Sequence, residues 1–95
     1  MYNKEKWSSA TISAVWRKGR IVSSEGPGVF RKDACGAWME FSKHGDRDAK
    51  YGWEIDHIKP VVHGGSDVLS NLQPLHWRNN AEKGDSSRLK CAVSD

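Results

Sequence analysis

The stretch GWEIDHIKPVVHGGSD, residues 52 to 67, decides how this chain is read. An apolar alternating run, Trp53-Glu54-Ile55, ends in a carboxylate directly beside an imidazole, Asp56-His57. Pro60 and the pair Gly64-Gly65 follow at once. Simple alternation puts Trp53, Ile55 and His57 on one face of a strand. Pro60 and HGGSD then end the strand and open a long turn. By itself an Asp-His pair says little, because a lone histidine near a strand end is commonly solvated or part of a core. Its meaning depends on what lies downstream.

Downstream, VLSNLQPLH (68 to 76) reads as a second extended piece, interrupted by Pro74. Residues 77 to 83 form the most helix-compatible stretch, and Gly84 stands where a helix would stop. The order of the second half is therefore strand, loop, strand, helix. Residues 86 to 95 are polar and are expected to fray. Upstream, Ile12, Val15 and Trp16 recur at i, i+3 and i+4. That spacing predicts a short amphipathic helix across 8 to 17, capped by Ser8 or Ser9, although TISAVW also fits a strand. SSEGPG is a turn, GAWMEFS (36 to 42) a strand, and HGDRDAKYG a polar connection.

Polar residues fall at telling intervals on this frame. Asn71 follows His57 by 14 residues and Asn80 follows it by 23, with Lys83-Gly84-Asp85 just beyond. Taken in order, IDHIKP, GGS and NLQPLHWRNNAEKGD resemble the HNH endonucleases, the ββα-metal or His-Me finger group, across residues 55 to 85. The resemblance implies an α+β fold: one domain over 1–95, with a ββα-metal core at 53–85 and a basic N-terminal extension at 1–50. It implies that His57 is the general base and that Asn71 braces the loop holding it. It makes Asp56 and Asn80 the ligands of one divalent metal ion, Mg²⁺ or else Mn²⁺. DNA would be cut to 5′-phosphate and 3′-hydroxyl ends. Many members carry paired cysteines around a structural zinc. Here the corresponding downstream positions are His76 and Asn79, so no structural zinc is expected, and tryptophan packing is expected to substitute for it.

These roles also make physical sense. A phosphodiester is anionic and repels nucleophiles, so hydrolysis needs a deprotonated water and charge neutralisation at phosphorus. A neutral imidazole, whose ordinary pKa is about 6.5, can take the water's proton near physiological pH. A carboxylate and an amide oxygen suit a hard cation that keeps several of its own waters. Because neighbouring side chains on a regular strand point to opposite faces, a base beside a ligand works only where the strand ends and twists. Pro60 and the Gly-Gly loop stand at that place. Glu54, two residues before Asp56, could join the acidic cluster. His44 and His63 read as solvated, and His76 as packed beneath the helix.

Composition narrows the rest. The chain has 95 residues, 37% of them hydrophobic, and a mean hydropathy of −0.73. That allows one small domain with a thin core. Five tryptophans, at 7, 16, 38, 53 and 77, are expected to fill it. Residues 1–50 hold ten Lys/Arg and six Asp/Glu, a net +4, whereas 51–95 are net −1. The densest basic region, WRKGRIVSSEGPGVFRK, offers Arg17, Lys18, Arg20, Arg31 and Lys32 to the phosphates of double-stranded DNA. Lys83 is a further candidate phosphate contact. One site per chain favours a monomer that nicks, or a dimer where both strands are cut.

No run of about 18 apolar residues exists, and MYNKEKWSSA lacks an apolar signal core. A cytoplasmic setting is expected, in which thiols stay reduced and a disulfide between Cys35 and Cys91 is disfavoured. Three alternatives stay open: an HNH-like module that grips nucleic acid without cutting, an RNA-directed nuclease, and a zinc-binding interaction domain using Cys35, His57, His63 and His76.

Overall fold

A computed structural model describes residues 6–94. Its first element is helix α1, Ser9–Trp16. Ser8 caps it, accepting the backbone N–H of Thr11 at 3.1 Å, so the helical alternative for TISAVW prevails over the strand. The i, i+3, i+4 stripe faces inward: Val15 and Trp16 are buried, and Ile12 packs beside them.

Two short strands follow, β1 (Phe30–Lys32) and β2 (Trp38–Glu40), paired antiparallel. Strand β1 lies within the densest basic region, where the sequence pattern predicts no strand. Strand β3, Trp53–His57, then pairs antiparallel with β4, Leu72–His76, and Asp56 faces Gln73 across the ladder. Pro74 is tolerated because a two-stranded sheet has only edge strands. Helix α2, Trp77–Lys83, begins directly where β4 ends. His76 caps it: Nδ1 accepts the N–H of Arg78 at 3.1 Å while Nε2 donates to the Lys50 carbonyl at 2.8 Å.

Strand β3 lies between the two helices, and this placement creates the site. Trp53 and Ile55 point into the main core with Val15, Trp16, Met39 and Leu72. Burying side chains of this size contributes about 1.5–3 kcal/mol each. The intervening residues, Glu54 and Asp56, face α2 instead, where they meet Asn80 and Lys83. Both faces of β3 are thus covered, and alternation here separates apolar from polar burial rather than core from solvent.

The tail departs from expectation. Residues 86–94 do not fray away from the body. Asn79 Oδ1 accepts the N–H groups of Ala92 and Val93 at 2.7 and 2.8 Å, and a disulfide joins Cys91 to Cys35. The thiols expected to be reduced are paired, because Asn79 and the 33–37 turn bring their Cα atoms within 5.6 Å.

Candidate active site

At the end of β3 a cleft of about 210 Å³ is lined by Asp56, His57 and Asn80, with Pro60, Val61 and Asp85. Asn71 ties the two ends of the loop behind it. Asn71 Oδ1 accepts the Lys59 N–H at 2.8 Å, and its Nδ2 donates to the carbonyls of Lys59 and Ser66 at 3.1 and 2.8 Å. The two glycines are required there. Gly64 adopts φ 93°, and a Cβ on Gly65 would lie 1.7 Å from the Lys59 carbonyl oxygen.

His57 has a partner that the sequence reading missed. Its Nε2 lies 2.6 Å from Asp67 Oδ1, and Trp7 packs its ring 5.7 Å from the imidazole. The hydrogen bond from His57 holds the Asp67 carboxyl below its ordinary pKa, outweighing an opposing desolvation effect, with smaller help from the charges of Lys6 and His57. Asp67 was visible as the D of GGSD, ten residues after His57.

Asp56 is buried, at 5% exposure. Gln73 Nε2 donates to one carboxylate oxygen at 2.9 Å and Lys83 Nζ to the other at 3.1 Å. Lys83 also donates to the His57 carbonyl at 2.9 Å and is itself 3% exposed. Expected at the surface against a phosphate, it turns inward because it lies three residues after Asn80 on the helix face that covers β3. Glu54 is fully buried and takes a bidentate contact from Arg47, at 2.5 and 2.8 Å, together with the Asn80 amide N–H at 2.7 Å. It therefore sits beside the Asp56 cluster with its own cation.

Among the described residues, no three His, Cys, Asp or Glu side chains converge on one point. The donors at the cleft still suit a hard cation. A carboxylate has about four acceptor sites, and two of Asp56's are used. Asn80 spends its Nδ2 on Glu54, which leaves its amide oxygen for the cleft. One carboxylate and one amide oxygen, with room for waters, match the preferences of Mg²⁺ or Mn²⁺.

A family model described as HNH endonuclease matches residues 38–86, just over half of the chain. The chain belongs to the HNH endonuclease family. No curated protein and no solved structure matches it. The matched span begins at Trp38 and ends at Ser86, so it takes in β2 as well as β3, β4 and α2 and leaves out α1 and β1. Membership points to nuclease or nucleic-acid-binding function, and HNH nucleases typically use a divalent metal.

The basic segment outside the match is partly spent on the HNH chain's own structure. Arg31 donates to the carbonyls of Pro27, Arg17 and Gly19. Lys18 Nζ binds the carbonyls of Leu69 and Leu72, and Lys32 lies over the Trp38 ring. Arg17 and Arg20 are exposed. At His76 and Asn79, where zinc cysteines would stand in many relatives, Asp33 is the local hub. Its Oδ2 accepts the His76 N–H at 2.9 Å and the Asn79 amide at 3.0 Å. No helix of the described residues is long and apolar enough to cross a membrane.

Proposed function

We propose that this chain is a metal-dependent endonuclease that hydrolyses phosphodiester bonds in double-stranded DNA and leaves 5′-phosphate and 3′-hydroxyl ends. The observation that carries the reading is a carboxylate-held imidazole at a strand end, in a cleft shared with Asp56 and Asn80. A carboxylate acceptor favours the tautomer with the proton on Nε2 and the lone pair on Nδ1. His57 Nδ1 then takes the proton of the attacking water, and Asp67 orients the ring. Asn71 keeps the loop from drifting, which matters because misplacement by about 1 Å costs roughly 10²-fold in rate.

Asp56 and Asn80 would hold one Mg²⁺ or Mn²⁺ ion. When bound, such an ion neutralises phosphate charge and stabilises the leaving 3′ oxygen. Lys83 Nζ, 3.1 Å from Asp56 Oδ1, would share that carboxylate with the ion. The whole chain acts as one unit, as a monomer for nicking or as a dimer for a double-strand break. One observation favours a second reading. Lys83 already neutralises Asp56, as it would in a module that binds nucleic acid without cutting it.

Incubating plasmid with the protein and Mg²⁺, with and without chelator, separates the two. Cleavage that stops on chelation is expected. His57→Ala should lower the rate by about 10²- to 10⁴-fold while the fold survives; near-normal turnover in that variant removes His57 from the mechanism. The cytoplasmic setting predicts reduced thiols, whereas the structure pairs Cys35 with Cys91. Thiol trapping in cell extracts, read by mass spectrometry, decides which state the chain occupies.

A further inference from the structure

A second cavity lies away from His57. It measures about 590 Å³ and opens between β2, the connection at 46–51 and the first turn of α2. Three half-buried rings line it: Trp38, Tyr51 and Trp77. Each carries a cation over its face: Lys32 at 4.7 Å, Lys50 at 5.4 Å and Arg78 at 5.3 Å. The chemistry proposed at His57 uses none of these groups.

The rings are held in place. Trp77 Nε1 donates to the Ala49 carbonyl at 3.2 Å, and the ring stacks on His76 at 5.9 Å. Trp38 and Tyr51 both meet Phe30 edge to face. Rings that only fill a core lose their exposure, as Trp53 and Trp16 do in this chain. These three stay half-open around one cavity under exposed positive charge.

A flat π surface beside cations recognises a ligand that is itself flat and anionic. A nucleotide has both properties, and the cavity volume falls within the range of small-ligand sites. Bases inside a duplex are stacked on their neighbours and present no face, so the ligand must be unpaired. A hydrogen-bond chain runs from the cavity wall to the cleft. Arg47 lines the cavity wall and grips Glu54, which in turn holds the Asn80 amide.

We propose that this cavity binds one unpaired DNA nucleotide close to the cut, its base on the Trp38, Tyr51 and Trp77 rings and its phosphate on Lys50 and Arg78. The assignment rests on the nuclease reading above and sharpens it: the preferred substrate is DNA with a gap, flap or overhang. On entry, the two cations exchange a ring face for a phosphate.

Fluorescence anisotropy in chelator, where no cleavage occurs, tests it with a blunt duplex, the same duplex carrying a short gap, and a single-stranded oligomer. The gapped and single-stranded probes should bind about 5- to 100-fold more tightly than the blunt duplex, the scale of one base–aromatic stack. Trp77→Leu and Tyr51→Leu should abolish that preference and leave blunt-duplex binding unchanged. Because Trp77 also anchors the 46–51 connection, the exposed pair Lys50→Ala/Arg78→Ala provides a variant that keeps the fold. It should flatten the single-strand salt slope by about 1.4, two contacts at roughly 0.7 each. A bromodeoxyuridine oligomer irradiated on the wild-type protein should form adducts at Trp38, Tyr51 or Trp77. Equal affinity for gapped and blunt probes, or adducts only elsewhere, overturns the subsite. Plasmid cleavage by the same preparation would then show that the nuclease reading survives without it.

Discussion

Asp33 and Asp56 are buried to the same degree, at 4% and 5% exposure, yet they are different kinds of carboxylate. Asp33 accepts four hydrogen bonds, from the N–H groups of Cys35, Ala37 and His76 and from the Asn79 amide. Every donor is neutral, and three of the four are fixed backbone. The acceptor capacity of a carboxylate is about four, so Asp33 has none left for a ligand. Asp56 accepts two, both from side chains, and one of those donors is a charged lysine. It also borders an open cleft. Burial alone therefore does not mark a functional carboxylate; spare acceptor capacity beside an opening does.

The comparison breaks most visibly at Asp33. In Asp33→Asn one pair of donors would face an amide nitrogen instead of an oxygen. Asn79 cannot flip to relieve this, because its own oxygen holds the N–H groups of Ala92 and Val93. Leaving two buried donors unpaired should cost about 3–5 kcal/mol. Urea unfolding should show that loss, while the metal needed by whatever folded protein remains stays unchanged. A stability within about 1 kcal/mol of the parent would mean that Asp33 is not the hub described.

Asp56→Ala and Asn80→Ala are the counterpart. Each should raise the Mg²⁺ or Mn²⁺ concentration needed for half-maximal cleavage by about tenfold or more, following the loss of an oxygen ligand. Asp56→Ala also leaves the Lys83 ammonium buried without its ion-pair partner, which destabilises. Metal titration must therefore be read alongside a melting curve. Unchanged titrations in both variants would place the ion elsewhere.

The two carboxylates also differ in how far the sequence reveals them. The order strand, loop, strand, helix was legible because one hairpin and one helix set it locally, and the resemblance to the HNH pattern singled out Asp56, His57, Asn71 and Asn80 as candidates. Asp33 was not legible, since two of its partners lie 43 and 46 residues away. The clamped tail and the disulfide depend on the same long-range hub, so their polar sequence read as fraying. The sequence predicts that tryptophan packing stands in for a structural zinc. Trp53 and Trp16 do pack the core, but Trp38 and Trp77 line a cavity, and Asp33 organises the equivalent corner with hydrogen bonds. The inward turn of Lys83 has a readable signal in the spacing. Glu54 and Asp56 are two apart on a strand, Asn80 and Lys83 three apart on a helix. Each spacing selects one face, and the two faces meet.

Lys83 sharpens the contrast further, because it places a positive charge 3.1 Å from one oxygen of the carboxylate that would hold a metal ion. Two cations on one carboxylate repel each other across a buried, poorly screened gap. Lys83→Met keeps most of the side chain's bulk and removes the charge. Manganese binding to DNA-free protein, followed by electron paramagnetic resonance, should tighten by about tenfold, corresponding to about 1.4 kcal/mol. Equal or weaker binding would mean that the lysine shapes the ligand rather than competing for it.

The smallest effect concerns the basic segment, where the same distinction between committed and spare capacity applies. Arg31 and Lys18 are committed to backbone carbonyls, and Lys32 to the Trp38 ring. Neutralising those three would perturb packing and DNA contact together, and the two could not be told apart. Arg17 and Arg20 are exposed and are the better candidates for phosphate contacts. Replacing both with alanine should leave the melting temperature within a degree or two, as surface substitutions usually do. It should flatten the log–log salt dependence of duplex binding by about 1.8, two contacts at roughly 0.9 each. All duplex sequences should weaken alike, since phosphate contacts position the protein without reading bases. Metal affinity should not change, because Asp56 and Asn80 keep every neighbour they have. A salt slope equal to that of the parent would move the clamp off this segment and onto Lys59, Arg78 and Arg88, the cations nearer the HNH motif itself.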